Sequence, residues 1–248
     1  MHFKDFSKQI WDLIETLINS CPPQERIAAV DADGTLWNTD LGENFFNWII
    51  HEKKVPLPKD PWEHYRKLKS KDPCTAYLWL AQILADVELT KVQQWANCAV
   101  EQYPPPIFPA MQRLVTLLHN SGFKVYVVTA SVKWAVEPGA NILGIPQDHV
   151  LGFATVIKNE RVTGIQSGHS TYREGKAKAL LEATGGIRPL LAFGNTPGDL
   201  FLLESAKAFA MAVSSAPSGS ELFKSEMELQ KIARERGWIT HRFTETLC

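Results

Sequence analysis

Four short apolar runs constrain what this chain can fold into more than any other feature. They are RIAAVDA at 26–32, FKVYVVTAS at 123–131, PLLAFGN at 189–195 and AFAMAV at 208–213. An unbroken apolar run of this length reads as a strand buried on both faces. Segments of helical period lie between them. MQRLVTLLHNSG (111–122) carries apolar residues at 111, 114, 115, 117 and 118 and stops at Gly122. SVKWAVEPGANILG follows the second run, REGKAKALLEATGG precedes the third and PGDLFLLESAKA follows it. Strands alternating with helices predict an α/β fold with a Rossmann-like parallel sheet covered on both faces. Ligands of such sheets sit at the C-terminal ends of the strands.

The stretch 41–108 breaks the alternation. It is helix-rich and aromatic, with proline clusters at 56–61 and 103–109. The expected organisation is an α/β core formed by 1–40 and 109–248, with an inserted helical cap at 41–108 lying over the active end of the first strand. The 248 residues suffice for one domain with such an insertion. Residues 150–166 read as a hairpin turning near Lys158–Glu160. The N-terminal segment reads as a surface helix, with Ile10, Leu13, Ile14, Leu17 and Ile18 at helical spacing. The tail from 219 onward reads as a charged amphipathic helix that packs on the sheet or meets a second subunit.

Composition narrows the function classes. With 26 basic and 27 acidic residues the formal charge is -1, so no nucleic-acid partner is expected. No apolar window reaches membrane-spanning length, and no membrane association is expected. Cys21, Cys74, Cys98 and Cys248 form neither a C-x-x-C pair nor a zinc spacing. Reduced thiols and a cytoplasmic location are the expectation. Oligomeric state is left open.

Chemistry concentrates at four strand ends. Asp31 and Asp33 are one residue apart directly after the first run, and Gly34 lets the chain turn away. Two carboxylates this close repel unless a cation sits between them. Thr129, Ala130 and Ser131 offer hydroxyls and backbone N–H groups suited to a phosphate oxygen, although Ser131 also reads as an ordinary helix N-cap. Lys176 stands at a helix start, where a cation opposes the helix dipole unless an anion is near. Asn195 and Asp199 lie in GNTPGD, between a strand and a helix. Each segment alone has an ordinary structural reading.

In this order the four segments resemble the haloacid dehalogenase-like superfamily, with its D-x-D-x-T motif, its Thr/Ser at a second strand end, its distant Lys and its G-[DN]-x-x-x-D. The likeness covers about residues 25–215. The lid between the first two motifs and the late lysine look like the phosphoserine phosphatase and phosphorylcholine phosphatase branch. The resemblance implies a Mg²⁺-dependent phosphatase acting on a small phosphorylated metabolite. Asp31 would be the nucleophile that forms an aspartyl-phosphate, and Asp33 the general acid and base. Thr129, the Ala130 N–H and Lys176 would hold the phosphate, while Asp31, Asp33, Asn195 and Asp199 would form the magnesium site. Asn195 departs from the pattern, because most phosphatases of this branch have Asp there. The expected consequence is weaker magnesium binding, relieved by Asn195→Asp.

For the substrate, Asp40 and Glu43 are candidates to bind an amine and Arg66 a carboxylate. Phosphoserine, phosphocholine and phosphoethanolamine are the substrates in view. Trp37, Trp48, Trp62, Trp79 and Trp95 form either an aromatic cage for a quaternary ammonium or simply the lid's core. A phosphotransferase or phosphomutase, and a phosphate-binding regulatory protein with little turnover, are the alternative functions.

Overall fold

A computed structural model describes residues 2–246. The short strand β1 (His2–Phe3) precedes α1 (Lys8–Ser20), whose Ser7 caps the N-terminus through Ile10 N–H. Trp11, Ile14 and Ile18 on one stripe of α1 are buried, while Leu13 is exposed, as the helical spacing requires. The first apolar run is β2 (Ile27–Val30), buried throughout.

Four helices follow: α2 (Leu41–His51), α3 (Pro61–Lys71), α4 (Pro73–Gln82) and α5 (Leu89–Gln102). Their boundaries are chemically marked. Asp40, Asp60 and Asp72 cap α2, α3 and α4, and Pro61 and Pro73 stand at the first helical position, where the missing N–H is no loss.

α6 (Pro109–Asn120) then leads into β3 (Lys124–Val132). α7 (Lys133–Ile142) leads into the hairpin β4 (Val150–Lys158) and β5 (Arg161–Ser167). That hairpin turns through Asn159 and Glu160, both at positive φ, as two-residue hairpin turns favour. α8 (Glu174–Ala183), β6 (Leu191–Gly194), α9 (Leu200–Glu204), β7 (Phe209–Ser214), α10 (Glu221–Glu235), β8 (Ile239–Arg242) and β9 (Glu245–Thr246) complete the order. β9 pairs antiparallel with β1.

The main sheet runs β5-β4-β3-β2-β6-β7-β8. Every neighbouring pair is parallel except the β4–β5 hairpin. β2 is therefore central, and its register aligns Val30 with Val127 and Phe193. Alternate β2 residues serve opposite faces, as strand geometry dictates. Ala28 and Val30 pack in the cluster that contains α1 and α6 side chains. Ile27 and Ala29 meet Leu180 of α8 and Leu202 of α9.

The helices α2 to α5 have their own apolar cluster. Phe45, Phe46, Ile49, Leu80, Leu84 and Val92 pack there with Val132, Trp134 and Ala135, and with Val162 of β5. This layer is thus seated on α7 and the hairpin. Trp48 and Trp95 belong to the same cluster, with Trp62 and Trp79 packed against it. Trp37 is fully buried in the main core. Trp37, Trp48 and Trp95 are buried and Trp62 and Trp79 are partly buried against the cluster of α2 to α5, which favours core packing over a cage.

The tail differs from the expectation of a helix alone. α10 stops at Gly237, which takes a φ of 71°, and β8 then pairs parallel with β7. Without β8, the edge of β7 would expose unpaired backbone groups. Cys248 lies outside the described residues. Cys21, Cys74 and Cys98 are unpaired thiols. Among the described residues no helix is long and apolar enough to cross a membrane.

Candidate active site

The C-terminal ends of β2, β3 and β6 converge with the start of α8. Lys176, in the first turn of α8, is buried and donates to Asp31 Oδ1 and Asp199 Oδ1, each at 2.5 Å. Thr35 Oγ1 donates to the other Asp31 oxygen at 3.0 Å. Burial pushes Asp31 up to about 7; the charge of Asp199 adds to that, and Lys176 opposes it. Burial works to lower Lys176, but Asp199 and Asp31 outweigh it and raise its pKa. Lys176 is therefore a fixed cation between two carboxylates.

Asp199 is saturated. Its Oδ2 accepts from the Asn195 and Thr196 backbone N–H groups, both at 3.0 Å, while Oδ1 takes Lys176. It closes the turn after β6 and aims Lys176. Gly194 is required here, since a Cβ on it would collide with Asp199 Cβ.

Asp33 lies beside this group. Its Oδ1 accepts from Trp37 Nε1 and Leu41 N–H, both at 2.8 Å, and its Oδ2 accepts from Ser131 Oγ at 2.6 Å. Burial raises its pKa, and these donors, Ser131 first, counter the rise. Ser131 is not the N-cap of α7. Val132 holds that position without a side-chain bond, and the Ser131 hydroxyl goes to Asp33 instead. Gly42 of α2 lies so near that a Cβ there would meet Ser131 Oγ at 2.7 Å.

These groups face one cavity of about 420 Å³. Thr129, Ala130, Asn195, Asp40 and Glu43 also line it. Thr129 is buried, and its Oγ1 accepts the Ser131 N–H at 3.0 Å. Asp40 is held well above the usual carboxylate range by burial and by the charges of Asp33 and Glu43. Of the charged and polar site candidates drawn from the sequence, Arg66 alone does not reach the cavity, and none of the five tryptophans lines it. Arg66 is exposed and donates to Trp62 O. Helical geometry explains this: on α3, Tyr65 and Lys69 share the inner face four residues apart, and Arg66 is rotated off it.

Lys69, and not Arg66, lines the cavity. Its ammonium is 3.3 Å from Glu43 Oε1 and stands over the Tyr65 and Tyr77 rings, at 5.2 and 5.6 Å from their centroids. Tyr172 also lines the cavity. None of these tyrosines was marked in the sequence: Tyr65 and Tyr77 stand on helices, where an aromatic at helical spacing reads as core, and Tyr172 lies in the loop before α8.

Asp31 and Asp199 share one ammonium and Asp33 lies beside them without a cation of its own, so the cluster has an excess of negative charge that a cation would relieve. Among the described residues no three His, Cys, Asp or Glu side chains form a ready cage for a metal ion. A divalent cation would therefore complete its shell from an Asp31 oxygen, the Asn195 amide oxygen, backbone carbonyls and water. That mixed oxygen set suits magnesium, which keeps several waters.

A sheet with its acid cluster at the switch between β2, β3 and β6 defines the class of α/β enzymes that bind ligands beyond their strand ends. The model of the haloacid dehalogenase-like hydrolases matches residues 28–204, and the chain belongs to that family. A phosphoserine phosphatase, chloroplastic, from Arabidopsis thaliana is 25% identical over 162 residues, which cover 62% of this chain and 50% of that protein. The chain thus spans about half the length of this curated relative. A Bordetella pertussis Tohama I protein of unknown function has a similar structure, with a TM-score of 0.70, 20% identity and coverage of 88% of this chain and 98% of that one. A functionally unknown protein from Anaerococcus prevotii DSM 20548 reaches a TM-score of 0.71 at 14% identity, covering 98% and 96%. A phospho-aspartyl intermediate analogue of phosphoserine phosphatase reaches 0.55 at 16% identity, covering 88% and 93%. At these identities the structural likeness concerns the fold alone.

Proposed function

We propose that this chain is a Mg²⁺-dependent phosphatase that hydrolyses a small phosphomonoester through an aspartyl-phosphate on Asp31. The observation that carries the reading is Lys176 bridging Asp31 and Asp199, with Asp33 held beside them by three donors. The likeness to phosphoserine phosphatases supports the same chemistry.

Asp31 Oδ attacks phosphorus, and the bond from phosphorus to the ester oxygen breaks. Asp33, whose carboxyl burial raises above its ordinary pKa, as suits a group that must carry a proton, protonates that leaving oxygen. It then takes a proton from the water that cleaves the aspartyl-phosphate. Thr129, the Ala130 N–H and Lys176 hold the phosphate oxygens and offset their charge. Magnesium, when bound, supplies charge neutralisation that lets a dianionic phosphate approach a carboxylate. Asp31, the Asp33 carbonyl and Asn195 hold it, and Asp199 acts through Lys176 and the turn, or through water.

Residues 41–108 act as a cap over the core formed by 1–40 and 109–248, and they set the substrate's size. Asp40 and Glu43 face the substrate's far end as acceptors for an amine. Lys69, in place of Arg66, is the cation for an anionic group. A zwitterionic phosphate ester such as phosphoserine fits both signs better than phosphocholine or phosphoethanolamine, which carry no carboxylate.

The test is hydrolysis of p-nitrophenyl phosphate and of the three natural candidates, with and without Mg²⁺, beside Asp31→Asn. Magnesium-dependent phosphate release that the variant lacks is the expected result. Release that persists in Asp31→Asn removes the nucleophile assignment. Added acceptor alcohols that become phosphorylated would turn the reading to phosphotransfer.

A further inference from the structure

Three helices build one end of the cavity. Glu43 comes from α2, Tyr65 and Lys69 from α3, and Tyr77 from α4. The Lys69 ammonium stands over the Tyr65 and Tyr77 rings and donates to Glu43 Oε1 at 3.3 Å. Tyr172 meets Tyr77 edge to face, with centroids 5.7 Å apart, and continues the wall from the core side. Ring faces and a carboxylate around one ammonium are the elements that bind ammonium ligands. Here the ammonium belongs to the chain itself. Lys67, on the same helix, pairs within α3 with Glu63 at 2.8 Å, whereas Lys69 reaches across to α2.

Lys69 and Lys176 are the cations that line the cavity, and Lys176 is held by Asp31 and Asp199. Asp40 spends Oδ1 on the cap of α2, where it accepts the Glu43 N–H at 2.7 Å. Glu43 is thus the carboxylate open to an ammonium at this end, and Lys69 already holds it. The Lys69 and Glu43 side chains are 40% and 35% exposed, and a pair so exposed is weak enough to exchange partners. We propose that Lys69 is a specificity-determining residue that acts as an internal competitor: its ammonium fills the Glu43–Tyr65–Tyr77 site in the empty enzyme, and a substrate amine must displace it. An ester that carries only an ammonium sets two cations against Glu43 and leaves Lys69 without a partner. An ester with a carboxylate beside its amine gives the amine to Glu43 and the carboxylate to the displaced Lys69. The exchange selects amino-acid phosphates over amino-alcohol phosphates. The proposal rests on the phosphatase reading above.

The experiment measures inhibition of p-nitrophenyl phosphate hydrolysis by phosphoethanolamine and by phosphoserine. The full chain is compared with Lys69→Met, Glu43→Gln and the double variant, with thermal melting as the folding control and Lys69→Gln as a second charge-removing variant. Removing the competitor should tighten phosphoethanolamine binding by about threefold to tenfold, the worth of an exposed ion pair and its cation–π contacts. The preference for phosphoserine over phosphoethanolamine should fall by about tenfold or more, because the carboxylate loses its charged partner. In the Glu43→Gln background, removing Lys69 should no longer tighten phosphoethanolamine, since the contested carboxylate is gone. Unchanged or weaker phosphoethanolamine binding in folded Lys69→Met or Lys69→Gln overturns the proposal. So does tightening of the same size in both backgrounds, which would be simple repulsion between two cations. A parent that hydrolyses p-nitrophenyl phosphate and resists both esters overturns this inference alone. A parent that hydrolyses none of the three refutes the phosphatase reading, and this inference with it.

Discussion

Asp33 receives donors from three parts of the chain: Trp37 in the turn after β2, Leu41 at the start of α2 and Ser131 at the end of β3. Its carboxylate is thus held in one orientation before any substrate arrives, which proton transfer requires. The two aspartates, Thr129, Lys176, Asn195 and Asp199 were legible in the sequence because each stands at a strand end or helix start. Ser131 could be read as part of a phosphate-binding segment or as a helix cap, and not as a donor to Asp33. That partner lies 98 residues away, beyond any local pattern. Ser131→Ala tests the role. A hydrogen bond to a charged group contributes about 1.5–3 kcal/mol, so kcat should fall by about 10- to 100-fold. Loss of a donor to the ionised form raises the Asp33 pKa, and the Asp33 limb of the pH–rate profile should move to higher pH. A fall in kcat with an unmoved profile would mean the serine acts only on structure.

Among the elements, the parallel strands could be read because burial on both faces demands continuous apolar residues. β8 could not. Its residues Ile239, Thr240, His241 and Arg242 are all half-buried, and an edge strand needs no apolar run. β1 and β9 have two residues each, too few to carry a period. Helix α7 holds a different tension. Glu137 is buried, pairs with Lys133 at 3.3 Å and leaves Oε2 without a partner. Burial raises its pKa despite Lys133. A carboxyl raised in the folded state adds no cost below its ordinary pKa. Above that value its ionisation removes stability, progressively up to the raised pKa. Glu137→Gln should therefore raise the melting temperature at a pH of about 7.5 and leave it nearly unchanged at about 4.5. A gain of about 2–4 °C corresponds to the 1 kcal/mol that an unsatisfied buried acceptor costs at least. An equal gain at both pH values would rule out ionisation as its cause.

At the scale of the whole molecule, the chain's two ends are joined beside its core. Lys4 N–H donates to Thr244 O at 3.0 Å, and β1 pairs with β9. Phe243 lies between these segments, 2% exposed, stacked on Phe108 with centroids 4.0 Å apart and facing Phe6 at 6.0 Å. Phe108 in turn donates its N–H to Leu36 O, in the turn that carries Asp33. β8, through Phe243 directly after it, is thus tied to the active end of β2 by one ring stack. It also supplies Arg242 to the Glu226 carboxylate. Truncating a buried phenylalanine costs about 3–5 kcal/mol, because neighbours close only part of the space. At about 2–4 °C per kcal/mol for a chain of this size, Phe243→Ala should lower the melting temperature by roughly 6–20 °C. Below that temperature kcat should change little, since Phe243 does not line the cavity. Urea unfolding followed by fluorescence and by activity separates the possibilities. Coincident transitions, both shifted to lower urea, mean the tail is part of one cooperative fold. Activity that survives to the parent's midpoint while fluorescence shifts would mean the terminal segments open apart from the site.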